Sequence, residues 1–67
     1  MAKIDINSQI GVGDMILEGN NHPQKTHFVK SIKDEFYTLY ERGARYTFEI
    51  TLNELITGDF YLVERNF

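Results

Sequence analysis

The chain has 67 residues, of which 42% are apolar and 25% charged, with a net charge of −3, a pI near 5.2 and no cysteine. A chain of this length forms one domain, residues 1–67, and buries only roughly 60% of the surface its unfolded form exposes, so its core has little to spare. The absence of cysteine excludes disulfide staples and thiolate chemistry and points to a reducing, cytoplasmic setting, while the acidic balance runs against non-specific attraction to a polyanion.

In chain order, residues 1–9 read as an N-terminal arm or an extra strand. Met1-Ala2-Lys3-Ile4-Asp5 runs into polar residues, which is not the pattern of a signal peptide. Gly11 and Gly13 with Asp14 allow a sharp bend into a first strand, Met15-Ile16-Leu17-Glu18. Gly19 to Gln24 is polar and predicts a loop. Thr26 to Ile32 has strand composition, with Lys33-Asp34 as a short connection. Glu35 to Glu41 is dense in aromatic and β-branched residues, and Arg42-Gly43-Ala44 offers a glycine for a tight reversal. From Arg45 to Leu52, Tyr46, Phe48, Ile50 and Leu52 alternate with polar residues at the two-residue period of a half-buried strand. Thr51-Leu52-Asn53-Glu54 has the form of a capping box, so a single helical turn starts there, and Thr57-Gly58-Asp59 breaks it before Phe60. Phe60-Tyr61-Leu62-Val63-Glu64 supplies the last strand, and its apolar run is too short for a membrane span.

These residues bring a resemblance into view. Gly13-Asp14-Met15-Ile16, the loop, Phe28-Val29-Lys30-Ser31-Ile32, the Tyr37 to Gly43 strand and turn, and Leu52-Asn53-Glu54-Leu55 before a final strand form a layout similar to the SH3-like barrels, including their KOW and Tudor branches, over about residues 10–65. The resemblance implies a mostly β fold: a small five-stranded antiparallel SH3-like barrel with one short helical turn before the last strand. It carries no site residue, because this layout serves many functions. The other reading is a two-layer α+β fold with a longer helix over residues 51–57.

Catalytic and cofactor signatures are missing. Gly11-Val12-Gly13 lacks the third glycine or the Lys-Ser/Thr pair of a phosphate loop. His22 and His27, with Asp14, Glu18 or Asp34, have the donor types for zinc; within one strand a separation of five would put the two rings on opposite faces, and only the placement of His22 in the loop leaves a joint site open. Surface histidines, no metal and no cofactor are the expectation. Ser8, Ser31, the histidines and the carboxylates show no triad spacing, and so small a chain lacks the walls to exclude water, so no enzyme is expected.

The four tyrosines and five phenylalanines are more informative. Between Phe36 and Tyr40, both faces of the strand carry apolar groups, and only one can face the core. Phe28, Tyr37, Tyr40 and Tyr61 are therefore the expected partner-binding residues, since tyrosine combines contact area with a hydroxyl at its rim. Lys25, Lys30 and Lys33, within nine residues, read first as a solvated strand edge and second as phosphate contacts for a nucleic acid. The leading expectation is a noncatalytic protein-interaction domain, an accessory or inhibitory protein of microbial or viral origin. The alternatives are a nucleic-acid-binding KOW-like barrel and a self-associating homodimer that buries the leftover apolar surface.

Overall fold

The computed structural model describes residues 2–21 and 23–63. The strands are β1 (Ala2–Lys3), β2 (Met15–Glu18), β3 (Lys25–Lys33), β4 (Phe36–Glu41), β5 (Thr47–Thr51) and β6 (Phe60–Leu62), with α1 (Leu52–Thr57) between the last two. All pairings are antiparallel and form one sheet in the order β1-β6-β2-β3-β4-β5. The sheet thus has six strands rather than five, the additional one lying within the expected arm. Glu64, expected in the last strand, lies outside the described residues.

Strands β2 to β5 form a meander, joined by the 19–24 loop and then by two shorter turns. Asp34, at φ +57°, and Gly43, at φ +82°, take left-handed conformations in the β3–β4 and β4–β5 turns. The Ala44 amide closes the β4–β5 turn on the Glu41 carbonyl at 3.0 Å. After β5 the chain leaves the sheet edge through α1 and returns as β6 beside β2, with Ile16 opposite Leu62 and Glu18 opposite Phe60.

The capping box forms as expected. Thr51 accepts from the Glu54 amide at 3.1 Å, and the Thr51 amide donates to Glu54 Oε1 at 3.0 Å. The helix runs for six residues, somewhat more than one and a half turns, and drives Leu55 into the core.

Ile4, Ile16, Val29, Leu39, Ile50, Leu55 and Phe60 form that core, so every element from β2 onward contributes a buried side chain. The principal extents of 30 × 29 × 28 Å are nearly equal, which means that the sheet curls around these residues instead of lying flat. It stays open: among the described residues no ladder joins β5 to β1. Instead, α1 spans that side, and Lys3 Nζ donates to the Ile56 carbonyl at 3.0 Å, tying the first strand to the helix that follows the last strand of the meander.

One irregularity sets the faces of β3. Val29 pairs with Leu39 but Ser31 pairs with Thr38, leaving Lys30 as the extra residue of a bulge. Side-chain alternation is reset there. His27, Val29 and Ile32 all face the core, where uninterrupted alternation would have turned Ile32 outward.

Candidate interaction face

The register of β3, β4 and β5 separates two faces. Tyr37, Leu39, Phe48 and Ile50 turn inward, with Tyr37 opposite Ile50 and Leu39 opposite Phe48. Phe28, Tyr40 and Thr47 align on the outer face, as do Lys33, Phe36 and Thr51. Leu39 is fully buried while its neighbour Tyr40 is 36% exposed, which settles which side of the β4 aromatics meets solvent.

The Phe28 and Tyr40 rings stack across the β3–β4 ladder with centroids 5.4 Å apart and planes inclined by 28°. The Arg42 guanidinium sits over the Phe28 ring at 5.6 Å from its centroid, and the Arg42 amide, bonded to the Thr26 carbonyl at 3.0 Å, fixes its backbone. Beside this stack an open groove of about 410 Å³ is lined by Lys30, Tyr40, Ala44, Arg45, Tyr46 and Thr47. Lys30 and Arg45 make no hydrogen bond or ion pair among the described residues. Glu49 is the one carboxylate that the described register of β3, β4 and β5 puts on the outer face.

The residues singled out from sequence thus separate. Phe28 and Tyr40 come together; Tyr37 packs inward against the core. Tyr61 is on the outer face opposite Leu17, but β6 lies three strands from β4, roughly 14 Å at the usual strand spacing. Its hydroxyl donates to Asp59 Oδ1 at 2.8 Å, and that bond, followed by partial desolvation, raises the phenol above its ordinary ionisation range. Of the lysines, Lys30 lines the groove. Lys25 and Lys33 stand at opposite ends of β3, roughly 25 Å apart, so the three do not form one phosphate track.

Sequence patterning does not single out Arg42, Arg45 or Tyr46, because Arg42 falls in a turn and Tyr46 continues the apolar alternation of the following strand. β5 begins only at Thr47, leaving Tyr46 64% exposed in the connection. The signal available was the interleaving of Tyr40, Arg42, Arg45 and Tyr46 around a glycine turn.

The histidine expectation also changes. His22 lies outside the described residues, while His27 is buried rather than on the surface, because it faces inward on a central strand. Its Nε2 lies 2.9 Å from Glu18 Oε1, and its ring meets Phe48 edge-on at 5.3 Å. Among the described residues no three His, Asp or Glu side chains gather as a metal site, and no helix is long and apolar enough to cross a membrane.

Comparison of the chain with protein-family models, curated proteins and solved structures gives no match.

Proposed function

We propose that this protein is a noncatalytic interaction domain whose outer face on β3, β4 and β5 contacts another protein. The observation that carries the reading is the groove beside Tyr40, lined by exposed tyrosine surface and by Lys30 and Arg45, two cations without an ion pair among the described residues. Tyrosine and arginine dominate the energetics of protein contacts because each offers a large rigid surface with polar atoms at its rim. The Phe28–Tyr40 stack and Arg42 hold the floor of this face in place before any partner arrives, which lowers the ordering cost of binding.

The same reading treats the curled sheet as an SH3-like barrel variant left open between its outer strands. The four-strand meander, the short helix and the return of β6 beside β2 support it.

The test is partner capture from an extract of the source cells, comparing the wild-type chain with Tyr40→Ala and Tyr46→Ala. Both variants are expected to keep the wild-type circular dichroism spectrum and to lose the captured protein. Retention of the same captured protein by both folded variants would move the contact off this face.

A second reading is favoured by the cations themselves. Bases of a single-stranded nucleic acid can stack on Tyr40 and Tyr46 while phosphates meet Lys30 and Arg45. Two phosphate contacts give a slope of about −1.4 in log affinity against log salt for a single strand, measurable by fluorescence anisotropy.

A further inference from the structure

The groove has a chemical polarity that narrows the partner. With Lys30, Arg42 and Arg45 and the outer-face carboxylate Glu49 set aside, the chain holds four basic residues against nine acidic ones, so this face is locally cationic on an acidic protein. Such a surface attracts a short stretch of negative charge, while the rest of the molecule repels a long polyanion. Tyr40 and Tyr46, on either side of the β4–β5 turn, line the groove together with Lys30 and Arg45, so aromatic and cationic groups share one space of about 410 Å³.

A second feature concerns the edge. β5 is the outermost strand of the described sheet, and Thr47, its first residue, lines the groove. That end is the one farther from α1, which begins directly after Thr51. The groove thus ends at the start of a strand whose outer edge no other described strand pairs, and an extended peptide that crosses the face can continue onto that edge with its main chain. A nucleic acid has no amide backbone with which to use that edge.

We infer that the groove receives an extended acidic segment of a partner protein, seating one aromatic side chain between Tyr40 and Tyr46 and its carboxylates on Lys30 and Arg45. This rests on the interaction-domain reading above and names the chemistry of its partner.

The experiment is selection of a random peptide library, displayed on phage, on the full chain. Enriched peptides are then made with a fluorescent label and measured by anisotropy at low and physiological salt. Controls are the double variants Lys30→Glu/Arg45→Glu and Lys30→Gln/Arg45→Gln, Tyr40→Ala, and a labelled oligothymidylate, with circular dichroism to establish folding. The expected peptides carry an aromatic residue flanked by Asp or Glu. They should weaken about tenfold on charge reversal, less on neutralisation, and further with salt. Enriched peptides without acidic residues, indifferent to both double variants but lost in Tyr40→Ala, would overturn the acidic partner and keep the interaction face. Peptides that bind Tyr40→Ala as well as the wild type would overturn this face as the site. Saturable oligothymidylate binding without peptide enrichment would replace the inference with the nucleic-acid reading. Failure of both probes would overturn the inference together with the reading on which it rests.

Discussion

His27 Nε2 and Glu18 Oε1 lie 2.9 Å apart, joining a buried ring on β3 to a half-exposed carboxylate on β2. A carboxylate oxygen only accepts, so Nε2 is the donor of this contact, and Nδ1 is the buried ring atom left without a partner among the described residues. Removing the carboxylate with Glu18→Ala strands the donor as well. A loss of about 1 kcal/mol is expected, because the half-exposed site admits some water in its place. Adding His27→Leu should recover part of that loss by removing the stranded groups. Urea denaturation of the two singles and the double variant measures the coupling, and strictly additive losses would show that the pair contributes nothing.

Leu39 and Tyr40 are neighbours in sequence on opposite faces of β4. A domain of this size has a total stability of about 3 to 10 kcal/mol. Leu39→Ala empties a fully buried position and should cost about 2 to 5 kcal/mol, enough to unfold much of the population. Tyr40→Ala loses the ring stack with Phe28 and some surface burial, about 1 kcal/mol, and should stay folded. Thermal unfolding of the two variants distinguishes the faces directly. Equal losses would mean that Tyr40 belongs to the core.

The capping box gives the fold an acid-sensitive joint. Bonds from the Thr51 amide and then the Thr51 hydroxyl hold the Glu54 carboxyl below its ordinary value of 4.5. A carboxyl with a lowered folded pKa contributes stability that is present above its unfolded pKa and fades as pH falls through the folded one. Acidifying from neutral to below 4.5 should therefore weaken the wild-type protein more than Glu54→Gln. Thr51→Ala, which removes the cap itself, should cost about 0.5 to 2 kcal/mol at neutral pH. Parallel pH profiles for wild type and Glu54→Gln would show that the carboxylate does not brace the helix.

Gly58 sits where the chain leaves α1, and its φ of −83° suits any residue. Space is the constraint. A Cβ there would lie 2.7 Å from Phe60 Cε2 and 2.8 Å from the Glu54 carbonyl oxygen. The second contact is backbone, so no side-chain rotation removes it. Gly58→Ala is expected to lower stability by about 1 to 3 kcal/mol, seen as a lower Tm, whereas an unchanged Tm would mean that the helix end shifts freely.

The local chemistry of the chain was enough to place most elements. Period-two alternation, the Gly43 turn and the Thr51-to-Glu54 cap are short-range patterns, and β2 to β5 and the start of α1 follow from them. Surplus aromatics on a two-faced strand cannot all enter one small core, which made Phe28, Tyr37, Tyr40 and Tyr61 candidates without telling which of them share a face. What the sequence could not determine depends on contacts between residues distant in the chain. The bulge at Lys30 decides that Ile32 packs inward, and pairing across β4 and β5 turns Tyr37 away from Tyr40. Burial of His27 follows from its inward position between β2 and β4, and the late start of β5 leaves Tyr46 and Arg45 beside the groove. Strand order and register are set by the shared core rather than by local preference, so the face on which these side chains meet exists only in the folded sheet.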